Sequence, residues 1–191
     1  MIHRSPQTRS KGFDFEEVRL LNLRKIIDYS LAGLLLGLSI ACNAGVSEKY
    51  IHDCNYKDRQ TPLTALACNI YWEARGESLS GALSVGFVTL NRSDSDRFPN
   101  GIVDVVYQPW QFSWHKDGKS DKVYDKESWL KVLHISVYLL DIKDEDYHYV
   151  DITEGSLFYH SKKVSPVWAS EKNVVVTIDN HLFYKKDLKR R

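Results

Sequence analysis

The sequence predicts a mostly helical α+β domain with a small β-hairpin or sheet near its carboxyl end. Apolar residues recur at helical spacing in residues 61–75, 80–92 and 128–141, whereas residues 155–184 contain short β-branched and aromatic runs. The chain has 191 residues. This length is enough for one domain with a buried core and an additional tail, but too short for two full domains.

The amino-terminal segment has the composition of an export signal. Residues 1–25 are polar and partly basic, and residues 30–45 carry no charge. The apolar stretch is short for a membrane span, and small residues near Cys42 offer a cleavage point, so a signal peptide is favoured over a signal anchor. A lipoprotein signal with an acylated Cys42, or a buried core helix, would also fit this composition. We predict a leader over residues 1–45 and export to the periplasm or cell envelope, with residues 26–44 as a membrane anchor if the leader stays uncleaved.

The remaining chain is predicted to be a connector, one domain and a basic tail. Residues 46–60 are polar and are expected to be a loose connector, residues 61–186 form the domain, and residues 187–191 form the tail. The formal net charge of +1 gives no reason to expect a nucleic-acid partner. We expect a monomer that contacts the membrane only through its leader. An oxidising compartment could join Cys54 to Cys68, whereas in the cytosol both would be small apolar residues.

The first helix of the domain carries the main candidate for chemistry. Thr61 is a natural N-cap and Pro62 a natural first residue, while Gly76 favours a left-handed turn after the helix. Glu73 then lies in the last turn, where the helix dipole disfavours a carboxylate. Partial burial would raise its pKa, as a general acid requires. Taken alone, the residue is explained better as an exposed glutamate paired with Arg75 or a nearby lysine.

The next segments predict a central helix and an aromatic loop. Residues 80–92 are apolar nearly all round, and Gly81 and Gly86 would let another helix approach closely. A turn at residues 99–101 precedes a short amphipathic segment. Three aromatic residues then occur in a polar loop, where they form either a small satellite core or stacking platforms for sugar rings: Trp110, Phe112 and Trp114.

The carboxyl-terminal half predicts one long helix and three short strands. The expected buried face of the helix consists of Trp129, Val132, Leu133, Ser136, Val137 and Leu140. The strands lie in residues 155–160, 174–179 and 181–184, with a turn at Asp179 and Asn180. Tyr159, His160 and His181 would then cluster near one edge of the sheet. Local hydrogen bonding explains these histidines better than zinc, and we expect no metal site and no cofactor.

Five blocks of this sequence resemble those of the SleB/CwlJ-type cell wall hydrolases, in the same order and at the same spacing. They are EARGES, GALSVGFVTLNR, FPNGIVDVVYQPWQFS, GSLFYHSKKVSPVWA and IDNHLFYK, and together they cover roughly residues 63–185. The resemblance implies a lysozyme-like domain, related to lytic transglycosylases, that acts on the glycan strand of peptidoglycan. It also implies that Glu73 is the catalytic acid and matches Glu77 to a second glutamate. The last block departs from the usual Ile-Gly-x-His, because Asp179 replaces the glycine.

The number of available carboxylates favours one mechanism over another. Hydrolysing glycosidases need two, and Gly76 argues against a continuous helix that would keep Glu73 and Glu77 together. A lytic transglycosylase cleaving the β-1,4 bond between N-acetylmuramic acid and N-acetylglucosamine needs only Glu73. A hydrolytic muramidase or glucosaminidase, an amidase and a non-catalytic wall-binding module are competing hypotheses. The expected substrate-binding or supporting residues are Glu77, Trp110, Gln111, Phe112, Tyr159, His160 and His181.

Overall fold

The computed structural model of the protein describes residues 50–143, 145–170 and 173–185. The predicted leader, the first four residues of the connector and the basic tail lie outside these ranges. Among the helices within them, none combines the length and the apolar character needed to cross a membrane.

Helix α1 (Pro62–Ala74) begins and ends where the sequence predicts. The Thr61 side chain accepts a hydrogen bond from the Thr64 backbone N–H at 3.2 Å, and the Thr64 hydroxyl accepts one from the Thr61 N–H at 2.9 Å. After the helix, Gly76 adopts a φ of +96°, which favours glycine. Residues 65–71 are all buried. Glu73 therefore lies in the last turn of a core helix, as predicted.

Helix α2 (Leu79–Ser93) packs against both α1 and the long helix α4 (Lys126–Lys143), which also pack against each other. Most of its residues are buried, which confirms the predicted central position. A Cβ at Gly86 would overlap Leu139 of α4, so the glycine permits the close approach of a helix, as expected. The expectation for Gly81 was wrong. A Cβ there would lie 2.5 Å from Asp179 Oδ2, so the group that approaches Gly81 belongs to a β-turn.

Helix α4 and the short helix α3 (Ile102–Val106) complete the helical part. Both pack against α1 and α2. The predicted buried face of α4 is partly wrong, because Val137 is exposed whereas Ile135, Leu139 and Ile142 are buried. The buried residues recur every three or four positions from Trp129 through Ser136 to Ile142, and Val137 lies beside this stripe.

A two-stranded sheet attaches the amino-terminal end of the described chain to the domain. Strand β1 (His52–Asp53) pairs antiparallel with β2 (Lys122–Val123). Cys54 is fully buried and forms a disulfide with Cys68 of α1, and the Tyr107 hydroxyl donates to the Cys54 carbonyl at 2.8 Å. Residues 50–60 are therefore held against the domain and do not form the loose connector that the composition suggests.

The three predicted strands form a second antiparallel sheet. Strands β3 (Phe158–Ser161), β4 (Val176–Ile178) and β5 (His181–Tyr184) are arranged in the order β3-β5-β4. Tyr159 pairs with Phe183, and His160 pairs with Leu182. Since side chains alternate along a strand, Tyr159 and His160 lie on opposite faces. The predicted turn connects β4 to β5, with Asp179 at a φ of +47°.

Candidate active site

The Glu73 carboxyl group lies against one face of the β3-β5-β4 sheet. The Tyr159 hydroxyl donates a hydrogen bond to Glu73 Oε2 at 3.0 Å. Burial raises the pKa of Glu73, whereas the Tyr159 hydrogen bond, the charge of Arg92 and the backbone N–H of Ser113 act in the opposite direction. Burial prevails, so this carboxyl group holds its proton at a higher pH than an exposed glutamate does.

The simplest structural explanation of Glu73, an ion pair with Arg75, is not what the structure shows. Arg75 Nη1 donates to the Tyr71 hydroxyl at 2.8 Å, and its guanidinium lies over the Tyr71 and Trp72 rings at 5.0 and 5.7 Å. Arg75, which directly follows α1, is therefore engaged with aromatic side chains of that helix. The partners of Glu73 come instead from segments distant in sequence.

Tyr159 is held as a hydrogen-bond donor. Burial and the neighbouring Glu73 raise the pKa of Tyr159 well above its ordinary value, so its hydroxyl stays protonated. The ring packs edge-on against His181 at 5.3 Å and lies tilted against Phe183 at 5.6 Å. These neighbours fix the orientation of the hydroxyl that faces Glu73.

Arg92 is a site residue that the sequence pattern did not reveal. It belongs to the last turn of α2 and its side chain is only 5% exposed. Its Nε donates to the Leu157 carbonyl at 2.8 Å, and its guanidinium lies 5.0 Å from the Phe112 ring and 5.1 Å from the Phe98 ring. The one signal for it in the sequence is an arginine at the end of a helix that is apolar nearly all round.

Glu77 does not share the position of Glu73. Both of its carboxylate oxygens accept from Asn180 Nδ2, at 3.1 and 3.3 Å. The neighbouring Asp179 Oδ2 accepts from the Ser78 backbone N–H at 3.0 Å and from the Ser78 hydroxyl at 2.5 Å. Glu77 and Ser78 thus attach the β4-β5 turn to the amino-terminal end of α2.

The aromatic loop divides into core and surface residues. Phe112 is 5% exposed and Trp114 is 6% exposed, and Trp114 Nε1 donates to Asn69 Oδ1 at 3.1 Å. The satellite-core interpretation is therefore correct for these two rings. Trp110 is 99% exposed and adopts a φ of +67°. Gln111 is partly buried, and its backbone N–H donates to the Gln108 carbonyl at 3.3 Å. Of the three aromatic residues, only Trp110 offers an open ring face.

The expected cluster of Tyr159, His160 and His181 is wrong for His160. This ring lies on the opposite face of the sheet, where it stacks on Tyr184 at 5.4 Å and contacts Trp168 at 5.6 Å. Its two nitrogens are within 2.9 Å of the Tyr184 hydroxyl and the Ser161 carbonyl. The physical reason is the alternation of side chains along β3, which separates consecutive residues.

His181 lies on the Glu73 face and is 7% exposed. Burial lowers its pKa, although Glu77 and Asp179 oppose this shift, and its buried Nδ1 has no hydrogen-bond partner among the described residues. His160 and His181 cannot share one metal ion across the sheet. His52, Cys54 and Cys68 do lie within reach of a single ion, but the two cysteines are joined as a disulfide.

Comparisons with known proteins identify the family of this chain. A sequence model of the family described as "Cell Wall Hydrolase" matches residues 76–184, which begin just after Glu73. The spore cortex-lytic enzyme of Bacillus subtilis (strain 168) is 41% identical over 54 residues, covering 28% of this chain and 18% of that protein. The spore cortex-lytic enzyme of Halalkalibacterium halodurans is 39% identical over 64 residues, covering 34% of this chain and 19% of that protein. The matches thus span less than a fifth of these relatives' length.

A solved structure extends the likeness to the fold. The catalytic domain of the germination-specific lytic transglycosylase SleB from Bacillus anthracis superposes with a TM-score of 0.52 at 27% sequence identity, covering 70% of this chain and all of that one. This confirms the predicted mostly helical, lysozyme-like α+β fold. Because the family match covers more than half of the chain and the fold agrees with it, the chain belongs to the cell wall hydrolase family of enzymes.

Proposed function

We propose that this protein is a lytic transglycosylase that cleaves the β-1,4 bond between N-acetylmuramic acid and N-acetylglucosamine in peptidoglycan, with Glu73 as acid and then base. The observation that carries the proposal is the environment of Glu73. Burial raises the pKa of this carboxyl group, while a protonated Tyr159 donates a hydrogen bond to it. Such a group can hold a proton before the reaction and bear a charge after giving it up.

One carboxyl group is enough for both proton transfers of this reaction. Glu73 donates its proton to the glycosidic oxygen as the bond from that oxygen to the muramic C1 breaks. The resulting carboxylate then accepts the proton of the muramic 6-hydroxyl as O6 bonds to C1, which gives a 1,6-anhydro ring and restores the acid. No water is consumed. During the charged stage, the Tyr159 hydroxyl and the Ser113 N–H stabilise the carboxylate.

The position of Glu77 supports a mechanism with a single acid. Hydrolysing glycosidases place a second carboxylate across the scissile bond. Helix α1 ends at Ala74, so Glu77 does not continue the helical face of Glu73, and its carboxylate is bound by Asn180. We therefore assign Glu77 a supporting role in holding the β4-β5 turn. The solved relative is likewise described as a lytic transglycosylase.

Substrate contacts are proposed for two neighbouring residues of the aromatic loop, Trp110 and Gln111. The exposed Trp110 ring suits stacking on a sugar ring, and Gln111 follows it directly. The substrate lies outside the cytoplasm, so we propose that the protein acts in the cell envelope. The disulfide between Cys54 and Cys68 supports this location, because disulfides persist in oxidising compartments.

Product analysis tests the proposal directly. The purified protein is incubated with peptidoglycan, and the soluble products are identified by mass spectrometry. Anhydro-muropeptides are the expected products, whereas new reducing ends would indicate hydrolysis and freed stem peptides an amidase. Glu73→Gln should reduce product release by about 100-fold or more. Glu127→Gln, at an exposed position on α4, is the matched control and should retain activity. Undiminished release by Glu73→Gln would exclude Glu73 as the acid.

A further inference from the structure

We propose that Arg92 is a positioning residue for Glu73, because it holds in place two segments that face the Glu73 carboxyl group and provides a buried positive charge near it. This inference rests on the proposed role of Glu73. It assigns a task to a side chain that the proposed proton transfers do not themselves use.

One side chain contacts both supporting segments. Arg92 Nε donates to the Leu157 carbonyl at 2.8 Å, and Leu157 directly precedes β3, which carries Tyr159. The Arg92 guanidinium also lies 5.0 Å from the Phe112 ring, and Phe112 directly precedes Ser113. The Tyr159 hydroxyl donates to Glu73 Oε2 at 3.0 Å, and the Ser113 backbone N–H is the other donor group that acts on this carboxyl group. A shift of Arg92 would therefore move both donors.

The charge of Arg92 is buried without a close ion pair. Within the described ranges, no carboxylate lies within 4.0 Å of its guanidinium, and its buried Nη1 has no hydrogen-bond partner. Burying such a cation is costly. The rings of Phe98, Phe112 and Phe158, at 5.1, 5.0 and 5.9 Å, offset part of this cost through cation–π attraction. Glu73 is the carboxyl group that interacts electrostatically with Arg92.

The direction in which Arg92 changes the pKa of Glu73 follows from the groups that face this carboxyl group. These are Arg92 from α2, Tyr159 from β3 and the Ser113 backbone from the aromatic loop, and each lowers the pKa that burial raises. Removing the positive charge therefore raises the pKa of Glu73 further. The acid form then persists to higher pH, while the carboxylate that must act as base is less stable.

The test measures the titration of Glu73 without relying on turnover. In the purified full chain labelled with ¹³C at glutamate carboxyl groups, the Glu73 signal is assigned by its loss in Glu73→Gln. Arg92→Met should raise the Glu73 pKa by about one unit or more, the size expected for loss of a nearby opposite charge. Arg97→Met is the matched control, since exposed Arg97 lies 5.2 Å from the same Phe158 ring. It should leave the titration unchanged.

Arg92→Lys separates the effect of the positive charge from that of the side-chain contacts. It also tests the positioning role if Arg92→Met does not fold. Lysine keeps the positive charge but loses the planar group that binds the Leu157 carbonyl and stacks on Phe112. We expect a Glu73 pKa close to that of the unsubstituted protein, with kcat lowered at least tenfold and KM little changed. A Glu73 titration unchanged in folded Arg92→Met, or a normal kcat in Arg92→Lys, would overturn the inference. Activity that survives Glu73→Gln would instead overturn the proposed function.

Discussion

At the scale of single residues, the Glu73 carboxyl group is subject to opposing influences on its pKa. Burial favours the protonated form, and three neighbouring groups favour the charged form. Both forms are needed in turn by a group that gives up a proton and later takes one back. The Tyr159 hydroxyl is the one neighbour whose contribution can be removed by deleting a single oxygen atom.

Tyr159→Phe should move the alkaline limb of the pH–rate profile to higher pH. The hydrogen bond at 3.0 Å stabilises the carboxylate, so its loss raises the pKa of Glu73 and extends the acid form. A hydrogen bond to a charged group contributes about 1.5–3 kcal/mol, so the expected shift is about one pH unit or more. The measurement is the initial rate of anhydro-muropeptide release between pH 4 and pH 9.

Tyr124→Phe is the control for that experiment, because Tyr124 is 62% exposed and does not contact Glu73. Its profile should coincide with that of the unsubstituted protein. A limb that stays in place in Tyr159→Phe, or moves to lower pH, would show that the Tyr159 hydrogen bond does not set the proton affinity of the proposed acid.

At the scale of elements, the β4-β5 turn is attached to the start of α2 by side chains on both sides. Asp179 and Asn180 form one side, and Glu77 and Ser78 form the other. The hydrogen bonds of Ser78 lower the pKa of Asp179, so the attachment weakens as pH falls and this carboxylate takes up a proton. Gly81 leaves the space that the Asp179 carboxylate occupies.

Gly81→Ala should destabilise the protein, even though alanine is the better helix former. The new Cβ would lie 2.5 Å from Asp179 Oδ2 and 2.8 Å from Glu77 Cβ, so the turn must move. Asp179→Gly keeps the left-handed backbone and removes the carboxylate. The loss of Tm caused by Gly81→Ala should therefore be smaller when Asp179→Gly is already present. Thermal unfolding of both single variants and the double variant measures this coupling.

Gly86→Ala serves as the control in the same cycle. Its Cβ would meet Leu139 and Ile70 in the helical core, away from the turn. The loss of Tm should be equal with and without Asp179→Gly. If the effects of Gly81→Ala and Asp179→Gly simply add, the close approach of the Asp179 carboxylate does not explain the glycine.

The sequence predicted those elements whose ends carry local signals. Thr61, Pro62 and Gly76 mark the ends of α1 through capping and turn chemistry, so the position of Glu73 in the last turn could be predicted. Tyr159 was expected as a supporting residue of the site, but its hydrogen bond to Glu73, 86 residues away, was not predicted, and neither was Arg92, which contacts the Leu157 carbonyl across 65 residues. Such pairs depend on tertiary packing, which has no local pattern. The misplacement of His160 is different in kind, since alternation along β3 already separates it from Tyr159.

At the scale of the whole molecule, the helices place Glu73 and the sheet supplies its hydrogen-bond donor. Helix α1 is also joined by a disulfide to the segment that contains Cys54. The disulfide closes a loop with a sequence separation of 14 and connects β1 to the middle of α1. Both cysteines are fully buried. Reduction of the disulfide should therefore lower the stability of the fold more than it disturbs the geometry around Glu73.

Replacing both Cys54 and Cys68 by alanine should lower the free energy of unfolding by about 3 kcal/mol, as expected for a closed loop of about 15 residues. Thermal unfolding with and without a reducing agent provides the measurement, with mass spectrometry to verify reduction. The double variant should have a low Tm in both buffers, and the unsubstituted protein should match it only after reduction. Below the transition, anhydro-muropeptide release should stay within about threefold, because neither cysteine contacts Glu73. A Tm unaffected by complete reduction would show that the disulfide does not stabilise the fold, and would remove this support for function in an oxidising compartment.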